Sequence, residues 1–164
     1  MENCIFLNKL KHHFFASFSM LEKIIDICPD ELWNKKLSGF IFWQQILHTI
    51  TGGLFWLRNE NNEFIEPYKE KKVYPELEKD PENILSKDEI KKCLFELKDM
   101  VEIWFTEKND DWLKLPSIIY NKATNFDIII NQIKHLDYHI GHCESIFRDN
   151  NINPEKYMEY YGDN

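Results

Sequence analysis

A chain of 164 residues, 43% hydrophobic and 15% aromatic, is the size of one ordinary domain and can bury a core without disulfides or structural metal, so residues 1–164 read as a single domain. The net charge of -8 is spread over several segments with no basic stripe, which removes the electrostatic footprint of a nucleic-acid binder. No apolar run approaches the ~20 residues of a membrane span, and the N-terminal MENCIFLNKLKHHFF carries charges too often for a secretory signal, so a soluble, unprocessed chain is expected.

Cys4, Cys28, Cys93 and Cys143 lie far apart with no CxxC pair. That excludes a zinc ribbon, a redox motif or a secreted disulfide framework and points to reduced thiols in a cytoplasm.

Phe14, Phe18, Leu21, Ile25 and Cys28 recur at spacings of three and four, the stripe of an amphipathic first helix over residues 4–28, which Pro29 ends. The segment FIFWQQILHTITGGLFWLRN, from Phe40 to Asn59, is apolar on most sides, as a second helix near the middle of a bundle would be. Residues 59–85 are rich in charge and carry Pro67, Pro75 and Pro81, so no long helix passes through them; they read as a crossover that either spans the fold or serves function. Ser86-Lys87-Asp88-Glu89 is a capping box, and Ile90, Leu94, Leu97, Val101 and Trp104 continue it as a third helix to about Phe105. After a polar turn, Thr124 and Asp127 cap a fourth helix that runs through Arg148, and the tail NINPEKYMEYYGDN is a short appendage packed by its tyrosines. The predicted fold is all-α, a four-helix bundle with a long crossover between helices two and three.

The stretch HLDYHIGH, residues 135–142, holds three of the six histidines. At about 100° per residue, His135, His139 and His142 fall within about 60° of one another, on the face that also carries Ile128 and Ile146 and therefore points to the core. Buried imidazoles need partners, and a divalent cation satisfies several at once, zinc or nickel before iron or copper. Two histidines at i, i+4 can chelate one ion, and His48, alone in a strongly apolar helix interior, is the expected third ligand from another helix. His12 and His13 diverge by about 100° and cannot both face one ion. Gly52, one turn beyond His48, is expected either to leave room beside the ion for a water or substrate or, like Gly53, to allow close helix packing. Cys143, at i+4 from His139, is a rival ligand, though a buried thiol is the commoner fate of such a residue. Phe40, Phe42, Trp43, Phe55 and Trp56 read as core and pocket lining. The HExxH glutamate is absent, which excludes that protease site, and no ExxH motif occurs, which excludes a ferritin-like di-iron centre.

A first helix ending in LEKIIDICPDELW, a second carrying WQQILHTITGGLFWL and a last with IKHLDYHIGHCESIFR together resemble the DinB-like, or damage-inducible, metal-binding four-helix family. The specific content is a histidine midway along helix two and an HxxxHxG motif, matched by His48, His135, His139 and Gly141. The resemblance implies a divalent metal held by those three histidines, often a homodimer, and relatives that include thiol S-transferases using bacillithiol, mycothiol or glutathione. Where the family commonly has Gln after HxG this chain has His142, a hydrogen-bonding partner or a fourth ligand that would close the site.

Two functions are open at this level. One is a metal-dependent thiol transferase or hydrolase acting on a small-molecule substrate, in which the cation lowers the pKa of a bound thiol or water and His142 orients a ligand or shuttles a proton as the catalytic residue. No carboxylate base is evident on the same helix face. The other is a stress-related metal-binding or interaction protein whose ion clamps helices two and four, favoured if His142 or Cys143 completes a four-ligand shell.

Overall fold

The computed structural model describes residues 4–154 and 156–161; positions 1–3, 155 and 162–164, which belong to the expected domain and its tail, lie outside the described residues. Those described are mostly helical, with four long helices: α1 (Ile5–Ile27), α3 (Phe42–Trp56), α4 (Lys87–Glu107) and α6 (Asn125–Asp149). Two single-turn helices, α2 (Asp30–Trp33) and α5 (Asp110–Leu113), and a hairpin of β1 (Lys36–Leu37) and β2 (Phe40–Ile41) fill the connections. α1 packs on α4 and α6, and α3 packs on the same two helices, so each long helix has two long neighbours.

The apolar stripes read from the sequence are the surfaces buried in these contacts. Phe14, Phe18, Leu21, Ile25 and Cys28 of the first stripe and Ile90, Leu94, Leu97, Val101 and Trp104 of the third are all buried. Gly53 allows a close approach of α3 to α4, since a Cβ there would lie 2.8 Å from Leu97 Cδ2. Among the described residues no helix is long and apolar enough to cross a membrane.

Local chemistry sets the helix ends. The expected capping box at Ser86 forms, and the expected cap at Thr124 is a capping box as well: Ser86 Oγ accepts from the Glu89 N-H at 3.3 Å and Thr124 Oγ1 from the Asp127 N-H at 3.2 Å, and each acid reaches back to the cap N-H at 2.9 Å. The start of α1 is capped from a distance. Asp110 of α5, buried, accepts from the N-H groups of Phe6 and Leu7 at 3.1 and 2.8 Å, placing a carboxylate where the helix dipole favours it.

Helix α3 begins two residues later than the sequence suggests, because Phe40 and Ile41 pair antiparallel with Leu37 and Lys36. Ser38 and Gly39 form the two-residue turn, both at positive φ (51° and 99°), the geometry that matches the twist of a tight hairpin.

The crossover is ordered against α3 and α4 rather than loose. It carries a 3-10 turn, Lys69–Lys71, flanked by Tyr68 and Lys72 in the left-handed region. Tyr74 and Leu77 are left-handed too, conformations that persist only where the surroundings hold them. Gln44, buried on α3, is the main clamp: its Nε2 donates to the carbonyls of Val73, Tyr74 and Lys79 at 3.2, 2.8 and 2.9 Å. An ion pair between Lys71 and Glu89 ties the same segment to α4.

The tail meets α1 through Tyr160 and through Met158, whose N-H reaches Met20 Sδ at 3.4 Å. Tyr160 stacks on His12 at 4.7 Å between ring centroids and meets His13 edge-on, whereas Tyr161 is 89% exposed.

Candidate metal centre

On α3, residues 44, 48 and 52 stand four apart and so within about 40° of their neighbours around the helix, which puts the crossover clamp Gln44, His48 and Gly52 on one stripe. On α6, His135 and His139 repeat that spacing and face this stripe. The three rings converge: the centroids are 5.0 Å apart for His48 and His135, 4.9 Å for His48 and His139, and 4.7 Å for His135 and His139, each pair edge-on. One ligand nitrogen from each ring can be chosen so that all lie within 4.8 Å of one another.

The hydrogen bonds decide which nitrogens are free. His48 Nδ1 lies 2.8 Å from the carbonyl oxygen of Pro75, which can only accept, so Nδ1 carries the proton and a neutral ring keeps its lone pair on Nε2. That Nε2 stands 3.1 Å from His135 Nε2. Two lone pairs cannot face each other at this distance, so either a proton on His135 or a shared cation lies between them. His139 is 5% exposed, and its Nδ1 is buried without a hydrogen-bond partner among the described residues.

Burial keeps the rings neutral. Desolvation lowers His48 below its ordinary value despite the Pro75 carbonyl and the charge of Glu76. Desolvation, helped by repulsion from His48, lowers His135 to about 4. Desolvation and then the neighbouring rings of His135, His48 and His142 lower His139 to about 3. Neutral imidazole is the form that binds a metal.

These residues fit a divalent cation. Metal–nitrogen bonds of about 2.0–2.1 Å in a tetrahedral shell separate ligand nitrogens by about 3.3–3.4 Å, near the observed 3.1 Å between the two Nε2 atoms. The Pro75 carbonyl behind His48 orients the ring and chooses its tautomer, as the partner behind a metal-bound histidine usually does.

His142 and Cys143 stand outside the three-ring group. The Nδ1 of His142 hydrogen-bonds Gln45 Oε1, and its ring meets Phe40 edge-on at 6.2 Å. Gln45 turns its Nε2 to Cys143 Sγ at 3.0 Å. Burial pushes that thiol up to about 12, so it stays protonated. Gly141 faces open space.

Gly52 fits both expectations: it borders the cavity beside His48, and it allows a close approach. A Cβ built on it would lie 2.9 Å from Cε1 and 3.1 Å from Nδ1 of His135, so the missing side chain is what admits the His135 ring. Room for a ligand lies beside His48 and Gly52. There a cavity of about 620 Å³ is walled by His48, Thr51, Phe55, Trp56, Phe64 and Pro75, with Arg58, Glu66 and Glu76 among its polar residues. Of the aromatics expected as core and pocket lining, Phe42 and Trp43 are core, 1% and 0% exposed, and Phe55 and Trp56 line this cavity.

The sequence reading missed Pro75, Glu66 and Glu76 because all three come from the crossover. Helical periodicity says nothing about where such a segment lies. Its length was the one available signal, since connections this long are uncommon unless they span a fold or do something. Comparisons with family models, with curated proteins and with solved structures found no match to this chain.

Proposed function

We propose that this chain is a DinB-like metal-binding protein, a four-helix bundle of α1, α3, α4 and α6 whose long crossover runs between the second and third of these helices. Its proposed activity is metal-dependent thiol S-transfer or hydrolysis on a small-molecule substrate, with a low-molecular-weight thiol as the expected partner. A cytoplasmic homodimer is the proposed setting. The observation that carries this reading is the convergence of His48 with His135 and His139, from two helices, into one group of neutral rings.

His48, His135 and His139 would hold the ion, zinc or nickel first and iron or copper as alternatives, because borderline imidazole donors accept all four. A cation held there would supply Lewis acidity that makes a bound thiol or water easier to deprotonate. Everything else falls to the chain. Phe55, Trp56 and Phe64 form an apolar wall beside His48 suited to receive the body of a substrate. His142, its Nδ1 proton committed to Gln45, keeps Nε2 as the atom able to take or return a proton.

A purely structural ion is the second reading, and the surroundings of His142 and Cys143 argue against it: neither joins the ring group, and both are engaged by Gln45. Zinc- and nickel-loaded protein assayed with a haloalkyl electrophile and a panel of low-molecular-weight thiols tests the proposal. Turnover that needs both metal and thiol, and that disappears in His48→Ala, is the expected result. Full metal loading with no turnover of any thiol–electrophile pair or ester would leave the structural reading.

A further inference from the structure

The groove beside His48 joins aromatic rings from α3 and the crossover around a space of about 620 Å³, enough for a small organic molecule. Its rings stand at right angles. Phe55 meets Trp56 with centroids 5.1 Å apart and planes at 85°, and it meets Phe64 at 5.3 Å and 88°. Rings set this way turn their electron-rich faces in different directions, as in the aromatic cages that hold organic cations. Arg58 shows that these faces accept a cation, since its guanidinium carbon lies 4.2 Å from the centre of the Phe55 ring and 5.8 Å from that of Phe64. Trp56, the best of the three ring types for a cation, carries none among the described residues.

The crossover adds two acids to these rings. Phe64 and Glu66 both line the groove while Ile65 between them is 73% exposed, the alternation of extended chain, so the Glu66 side chain leaves on the same side as the Phe64 ring. Glu76 lines the groove as well, and its carboxyl group hydrogen-bonds that of Glu66. Carboxylate oxygens only accept, so a donor must stand between the two groups. The chain's own cations are mostly committed elsewhere: Lys71 pairs with Glu89, Lys72 with Glu82, and Arg58 donates to the Phe55 carbonyl and to Asn61 Oδ1, leaving Lys69 as the cation whose charge reaches Glu66. A further mark of a ligand is independent of the acids. Thr51, 9% exposed, stands on the same wall, and its buried Oγ1 has no hydrogen-bond partner among the described residues. Buried polar atoms are normally paired, and a polar atom bound beside this one would satisfy it.

We propose that this groove binds a primary amine carried on an apolar body. The ammonium group stands between Glu66 and Glu76, its N–H groups donating to both carboxylates where a proton otherwise bridges them, and the body lies against Trp56 and Phe64. An ammonium brings both the donors that the facing acids need and the positive charge that the ring faces attract. An alcohol brings a donor without the charge, and a carboxylate brings the wrong charge. The groove is open to solvent, so selection comes from charge and ring contact rather than from the exclusion of water. As the substrate class of the site beside His48 this inference rests on the metal reading above, whereas the binding itself needs no ion at the imidazoles.

Three probes of nearly one shape test it: 2-phenylethylammonium, 2-phenylethanol and 3-phenylpropionate, each titrated by calorimetry at neutral pH into the metal-free full-length chain, where no ion can capture the amine. Wild type is expected to bind the ammonium roughly tenfold or more tightly than the alcohol, and the carboxylate most weakly, the difference a charge-assisted hydrogen bond makes. Glu66→Gln and, separately, Glu76→Gln should lower the ammonium's affinity to that of the alcohol and leave the alcohol's own affinity unchanged, which shows that the groove is intact. Glu76 is exposed, so its substitution leaves the core untouched. Equal binding of the three probes, no binding of the ammonium, or a preference that survives both substitutions would overturn the inference. Zinc uptake is measured on the same preparation. Uptake without an amine preference removes this inference and leaves the metal reading; an amine preference without uptake leaves the amine site and removes the metal reading.

Discussion

Replacing Gly52 by alanine should separate zinc binding at the candidate site from the stability of the fold around it. A Cβ at this position would lie 2.9 Å from His135 Cε1. Ordinary carbon–carbon contact is about 3.5–4.0 Å, so the ring must withdraw by at least about 0.6 Å. Metal sites tolerate displacements of about 0.2 Å, so one of the three proposed ligands would be pushed out of bonding range. The expected loss of affinity is at least the 10- to 100-fold typical of disturbing an outer-shell partner. The fold should not share that loss. Alanine inside a helix is favoured over glycine by about 0.8–1.0 kcal/mol, which offsets the crowding of one movable side chain. Competition between the protein and a chromophoric chelator for zinc gives the affinity, and urea unfolding of the metal-free protein gives the stability. Wild-type zinc affinity in a folded Gly52→Ala protein would refute the placement of His135 against this glycine.

Acid should weaken the metal-free protein through the same rings. Unfolded histidines titrate near 6.5, whereas folded His135 and His139 are lowered to about 4 and about 3, so across that window the unfolded chain binds more protons and stability falls as pH falls. His139→Gln removes one such group, and its urea midpoint should fall less steeply than that of wild type below about pH 6.5; parallel curves would contradict the assigned burial. Gln44→Ala strips the donor from three carbonyls of the crossover and should cost about 1–3 kcal/mol, with faster amide exchange concentrated in residues 72–82. Unchanged exchange there would show that the clamp does not hold the segment. Cys143→Ala should leave zinc stoichiometry unaltered and lower stability by about 1 kcal/mol through the lost packing and the stranded Gln45 amide; loss of zinc would make the thiol a ligand.

The four long helices were legible because each carries a periodic signal. Ile90, Leu94, Leu97, Val101 and Trp104 mark one face, and Ser86 and Thr124 announce starts through side chains that bond to their own backbone. The hairpin at residues 36–41 was not, since two-residue strands have no measurable alternation and only Ser38-Gly39 hints at the turn. For the site, spacing alone placed His135 and His139 on one face, and the apolar setting of His48 singled it out. What spacing could not show is how the crossover folds back: its register against α3 depends on the tertiary hydrogen bonds of Gln44, and with it come the Pro75 carbonyl and the two glutamates. Gly52 was read either as space beside the ion or as a close packing point, because a sequence does not say which ring leans over a missing side chain.

X-ray absorption at the zinc edge of protein loaded with one equivalent of zinc tests most directly whether the three rings share an ion. Three imidazole nitrogens at about 2.0–2.1 Å, with their outer-ring scattering reduced by about a third in His48→Ala, are the predicted result. A sulfur neighbour at about 2.3 Å, or a spectrum of hydrated zinc unaltered by that substitution, would contradict it.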